Sequence, residues 1–145
     1  MNEANCMREE LRTLVEQWIG LWCVPVDWDL FDRLHDDAFE DGTSAGRPVD
    51  KAGFASGLRE LVSAFPDLQT VVDDVVIDVD RSRAAVRWTA TGTNRRRFLG
   101  VGPTNRVTTI TGIEVIEIRD GRIVTRWGEW DITAHVRQDG EASDG

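Results

Sequence analysis

Glu114, Glu129 and Asp131 lie in a segment, Thr108 to Gly140, whose alternation and turn residues predict a β-hairpin. Asp120-Gly121 separates two apolar alternating runs, and a type I′ turn needs positive φ at both central positions. With Arg119 and Arg122 flanking that turn, Ile118 faces Ile123, Ile116 faces Thr125, Glu114 faces Trp127, Gly112 faces Glu129 and Ile110 faces Asp131. Strand side chains alternate, so all of these residues share one face. The three carboxylates then sit among isoleucines and Trp127, with Gly112 leaving room opposite Glu129. Carboxylates in a partly apolar wall have raised pKa values, which suits acid–base work near neutral pH. The opposite face, with Thr111, Ile113, Val115, Val124, Arg126 and Trp130, is just as apolar and is the other candidate for the core side. In that case the acids are solvated, or pair with Arg87 or Arg126 in a structural network. A register slip of one residue scatters the cluster, so the pairing decides the matter.

The elements around the hairpin follow from periodicity. Leu11, Leu14, Val15, Trp18, Leu21 and Trp22 recur at helical spacing, and Pro25 ends that helix. Asp27 caps a short second helix with Leu30, Phe31 and Leu34, and a short strand spans Ala38 to Asp41. Asp50 caps a third helix, whose Phe54, Leu58, Leu61, Val62 and Phe65 form one stripe closed by Pro66. The period then switches to two. Leu68 to Asp78 and Arg83 to Thr93 read as strands, with Ala84, Val86, Trp88 and Ala90 on one face. A loop of Arg, Gly and Pro, Asn94 to Arg106, leads into the hairpin, and a short helix from about Asp131 to Arg137 follows it. Helices first and antiparallel strands after make an α+β domain. It is read as a single domain over 1–145, with its core at about 8–140 and a polar tail at 141–145.

Composition narrows the function classes. The 145 residues are enough for one core, and no apolar run is long enough to span a membrane. The N-terminus has no secretory pattern, so the expected location is cytoplasmic. A net charge of −9 argues against nucleic acid and anionic membranes as partners. Cys6 and Cys23 form no metal or redox motif, and joining them would bridge the two ends of one helix, which the geometry forbids. With only His35 and His135, a histidine-rich metal site is not expected.

The runs FPDLQTVVDDVVID, AVRWTATGTN, FLGVGPTNRV and TGIEVIEIRDGRIVTRWGEWD resemble, in order, the pattern of the SnoaL-like polyketide cyclases. These belong to the superfamily of nuclear-transport-factor-2-like and ketosteroid-isomerase-like folds. The resemblance runs from about Trp18 to Gly140 and is clearest from Phe65 onward. It implies a cone, in which helices pack on a strongly curved, mostly antiparallel sheet around a deep apolar pocket, and a homodimer formed through the sheet. It implies aldol-type ring closure of a hydrophobic carbonyl substrate, or a related isomerisation, with neither metal nor organic cofactor. The family's pattern of Trp, Asp and a helix ending in Gln-x-Gly is matched by Trp127, Asp131, Gln138 and Gly140, which makes Asp131 the candidate acid–base residue. Glu129 resembles the position of an acid in the related limonene-epoxide hydrolases, so epoxide hydration is one alternative. A non-catalytic ligand-binding or dimerisation module is the other.

Departures from the family pattern fall on substrate-facing positions. GTNRRRF stands where relatives often read GTHTGEF, so Asn94 replaces a histidine, and Glu40-Asp41 stands near a frequent Asp-His. Tyrosine is absent, so an oxyanion hole of the ketosteroid isomerase kind is not available. An Asp with an ordinary pKa near 3.9 is a poor base toward carbon acids, so burial against Trp127 and Ile110 would have to raise it. Asn94, or an arginine of the Arg95–Arg97 run, is the candidate partner of a developing enolate. Trp88 and Trp127 are candidate aromatic walls, Glu114 a candidate tuning carboxylate, His35 a candidate at the pocket mouth, Asp41 a candidate substrate contact, and Phe98 with Leu99 an apolar lid.

Overall fold

A computed structural model describes residues 2–131. Three helices pack on a five-stranded sheet, in the order α1 (Glu3–Ile19), α2 (Trp28–Leu34), β1 (His35–Asp41), α3 (Lys51–Ala64), β2 (Gln69–Asp78), β3 (Arg83–Thr93), β4 (Val107–Arg119) and β5 (Arg122–Trp130). The expected helix after Asp131 lies outside the described residues. Each helix starts on a side-chain cap. Asn2 accepts from Asn5 N at 2.9 Å, Asp27 from Leu30 N at 3.0 Å and Asp50 from Gly53 N at 2.9 Å. α1 stops one turn before Pro25, at Gly20, so Leu21 and Trp22 pack from the turn that follows it.

The strand order is β1-β5-β4-β3-β2, antiparallel except that β1 runs parallel to β5. The helices cover one face, and the core is the stripe of α1 and α3 against Ala84, Val86, Trp88, Ala90, Ile110, Ile116, Ile118 and Ile123. No described helix is long and apolar enough to cross a membrane.

The final hairpin closes as its turn residues dictate, with φ of 52° at Asp120 and 74° at Gly121. Its register departs from the simple expectation two residues later. Ile118 pairs with Ile123, but Glu117 pairs with Thr125, so Val124 is an extra residue in β5. A bulge of this kind reverses the facing of everything beyond it. Arg126 therefore pairs with Ile116, Gly128 with Glu114 and Trp130 with Gly112 on the core side. Trp127, Glu129 and Asp131 do not share a face with Glu114, and the three-carboxylate cluster does not form.

β1 begins at His35, three residues earlier than expected. His35 lies in the core, not at a pocket mouth, fully buried among Phe31, Phe39 and Phe54. Trp18 Nε1–H donates to its Nε2 at 3.0 Å, and its Nδ1 lies 2.7 Å from Phe31 O, which assigns the proton to Nδ1. Burial lowers its pKa from 6.5 to about 4. The folded state thus binds fewer protons than the unfolded state between those values, so the stability this ring contributes is complete above pH 6.5 and is lost as pH falls through about 4. The loss amounts to about 3 kcal/mol. Urea unfolding of wild type and His35→Gln across that range checks it: the wild type is expected to lose more stability than the variant by that amount.

Candidate active site

A cavity of about 440 Å³ opens between the helices and the inner face of β3, β4 and β5. Trp18 and Trp22, in edge contact at 4.9 Å, form one wall with Phe54 and Leu58 of α3. Trp88, Ile110 and Trp130 form the other, the two indoles meeting edge to face at 5.6 Å. Gly112 makes that contact possible, because a Cβ there would lie 2.4 Å from the Trp88 ring. The volume and the tryptophan walls suit a flat, hydrophobic small molecule.

The charge on the wall comes from the bulge. By turning Arg126 inward, the bulge buries its guanidinium between two carboxylates. Arg126 Nε donates to Glu114 Oε1 at 3.0 Å and Nη2 donates to the same oxygen at 2.5 Å. Nη1 donates to Asp41 Oδ1 at 2.8 Å and to Thr43 Oγ1 at 3.0 Å. Among the described residues, Glu114 Oε2 receives only a long bond from Trp88 Nε1, at 3.4 Å. Burial pushes the Glu114 carboxyl above its ordinary pKa, and the neighbouring Arg126 charge opposes that rise without cancelling it. Gly128 faces the pair across the sheet, and a side chain there would collide with both Arg126 and the Glu114 carboxylate.

The other expected site residues fall in different places. Trp88, Glu114 and Phe98 border the cavity. Asp41 is buried behind it as the second anchor of Arg126. Trp127 stands on the outer face, 38% exposed beneath the Arg83 guanidinium, and Ile110 is buried on the inner face, so neither covers Asp131 as expected. Glu129 borders the cavity opening and is exposed. Asp131 is exposed at the end of β5, its backbone N–H donating to Thr111 O at 2.9 Å.

Asn94 is buried in the loop it begins, accepting from Thr104 N through Oδ1 at 2.9 Å, and is not on the cavity wall. Arg95, Arg96 and Arg97 are exposed, and Arg95 bonds to Asn105 at 3.2 Å. The cations on the wall are instead Arg126 and Arg47, the latter from the loop between β1 and α3. Phe98 stacks on Trp130 at 6.2 Å, and the adjacent Leu99 is held at a φ of 51° over the cavity edge. Among the described residues, no three His, Cys, Asp or Glu side chains converge as a metal-binding set.

Solved structures with this architecture share it over nearly their whole length. TsrD from Streptomyces laurentii is 22% identical, with 92% of this chain and 96% of that one covered and a TM-score of 0.82. A protein of Jannaschia sp. CCS1 assigned as a SnoaL-like polyketide cyclase is 19% identical, covering 90% and 91%, with a TM-score of 0.77. IdmH of Streptomyces antibioticus, assigned as a polyketide cyclase, is 25% identical, covering 96% and 99%, with a TM-score of 0.67. No curated protein matches the chain. The family model of the SnoaL-like polyketide cyclases matches residues 12–139, from the first helix through the cavity strands to the segment beyond Asp131. Three helices packed on a curled, mostly antiparallel sheet are the fold shared with these structures, and this chain belongs to the SnoaL-like polyketide cyclases.

Proposed function

We propose that the chain carries out acid–base chemistry on a hydrophobic carbonyl substrate, either aldol-type ring closure or a related isomerisation. The observation that carries this reading is Glu114: a buried carboxyl with a raised pKa, oriented by Arg126 on the wall of an apolar cavity. Its Oε2 removes a proton α to a carbonyl, leaving the electron pair in an enolate. The enolate carbon attacks a second carbonyl of the same molecule, and the new alkoxide takes a proton back from the carboxyl. Asp131, exposed at the end of β5 next to the cavity residue Trp130 and in the family's pattern, passes protons between this site and solvent. Arg126, anchored by Asp41, holds the Glu114 carboxylate in place before substrate enters, so the base needs no reorganisation.

The test is α-proton exchange in D₂O, followed by NMR over a panel of hydrophobic ketones and β-keto esters, for wild type, Glu114→Gln and Asp131→Asn. Exchange by wild type that Glu114→Gln loses, and that Asp131→Asn slows to a smaller extent, is the expected result. Equal exchange by all three overturns the assignment. No exchange by wild type overturns the carbon-acid reading in favour of epoxide hydration or ligand binding without turnover.

The same reading includes a cytoplasmic homodimer. Val76, Ala85, Val115 and Trp127 stand in one cross-strand row on the outer face of the sheet, with Val76 63% exposed. A continuous apolar row on a sheet face is a docking surface. Val115→Glu is expected to convert a dimer to monomer in sedimentation velocity, and a wild type that is monomeric at all concentrations overturns the dimer. Cys6 and Cys23, both free thiols, suit a reducing compartment.

A further inference from the structure

Arg47 differs from Arg126 in making no side-chain hydrogen bond among the described residues, its one ion pair being long. It lies between β1 and α3, borders the cavity, and rests on Gly57 of α3, where a Cβ would come 2.7 Å from its Nε. A glycine inside a helix costs stability, and here it makes room for a guanidinium. Arg47 Nε is buried without a hydrogen-bond partner among the described residues. Its Nη2 approaches Asp41 Oδ2 only to 3.7 Å, too long for a hydrogen bond. Asp41 Oδ1 accepts from Arg126 and from Thr43 N, while its Oδ2, the oxygen that faces Arg47, is buried without a hydrogen-bond partner among the described residues.

A guanidinium is a rigid fork that matches two oxygens of one planar anion. The walls beside it are Trp18, Trp22 and Phe54, so the rest of any partner must be apolar. In a chain of net charge −9, a cation on the cavity wall is what lets an anion enter at all.

We infer that Arg47 is a specificity-determining residue that binds a planar two-oxygen anion, a carboxylate or the enolate of a β-diketone, on a hydrophobic ligand in the cavity. The inference rests on the proposed role of the cavity as a substrate site, and it narrows the substrate to molecules carrying such a group.

Calorimetric titration at mildly alkaline pH tests it with three probes: naphthoate, its methyl ester, and a naphthyl-substituted β-diketone. Wild type is expected to bind at least one of the anionic probes about tenfold more tightly than the neutral ester. Preference for naphthoate assigns the carboxylate, and preference for the diketone assigns the enolate. Arg47→Gln is expected to remove the preference while leaving ester affinity within about twofold. Gly57→Ala, which strengthens α3 but displaces the guanidinium, is expected to weaken anion binding in the same way, and circular dichroism confirms that both variants fold. Equal binding of all three probes by wild type, or a preference that survives in both variants, overturns the inference. So does a preference lost in Arg97→Gln, which would place the charge on the exposed loop. Binding of the ester alone overturns this inference and leaves the cavity reading standing, whereas binding of none of the probes overturns both.

Discussion

Arg126→Met is expected to lower the free energy of unfolding by about 3–5 kcal/mol, because it strands the buried Glu114 carboxylate and leaves Asp41 only the distant Arg47 guanidinium, 3.7 Å away. Asp41 is 2% exposed and Glu114 3%, so water cannot take the place of Arg126 for either. The cost lies in that abandonment and not in the intrinsic strength of the ion pairs, since desolvation consumes most of the attraction between buried charges. A second variant separates the two. Met at 126 combined with Gln at 114 and Asn at 41 removes both carboxylate charges, and is expected to recover more than half of the loss. Denaturant midpoints with an unchanged m-value measure both steps. A single-variant loss below about 1 kcal/mol is the size expected of solvated ion pairs, and would mean that the cluster is hydrated in solution.

The same cluster marks the boundary of what the residue pattern reveals. Caps at Asp27 and Asp50, the extent of β3 and the Asp120-Gly121 turn depend on neighbours within a few positions, and these are where local rules predict them. The alternation rule placed Ala84, Val86, Trp88 and Ala90 together because β3 has no irregularity against β4. It failed in β5, where one inserted residue, Val124, exchanged the two faces. Nothing local announces that bulge. Its benefit is tertiary: it turns Arg126 toward Asp41, 85 positions away in the chain, and brings Gly128 against Glu114. The one available hint was compositional. Arg126 and Gly128 alternate with Trp127 and Glu129, so either face of β5 could be read as the functional one. Arg47 was missed for a related reason. It comes from a loop with no periodicity, and only the glycine it covers, Gly57 in α3, gives its position a pattern. The residue pattern puts His35 at the mouth because alternation is legible only from Ala38; as the first residue of β1 it points into the aromatic core.

On the proposed mechanism, the bulge also decides which carboxylate takes a proton from carbon. Glu114→Gln is expected to slow α-proton exchange by about 10²–10⁴-fold, the usual contribution of a positioned general base. Glutamine keeps the size and can still accept from Arg126 and Trp88, so a loss of exchange with ligand affinity retained isolates the proton transfer. Asp131→Asn is expected to cost less, because an exposed relay at the end of β5 can be replaced in part by water. The pH profile distinguishes the roles further. A base must be ionised, and burial holds the Glu114 carboxyl above its ordinary value. Exchange should therefore fall as pH drops through that raised pKa, at a higher pH than for a solvated glutamate. The inflection should vanish in Glu114→Gln and persist in Asp131→Asn. Should it instead vanish with Asp131 and persist without Glu114, the chemistry belongs to the rim. The Arg126–Glu114 pair would then be a structural clamp whose only task is to hold the cavity wall.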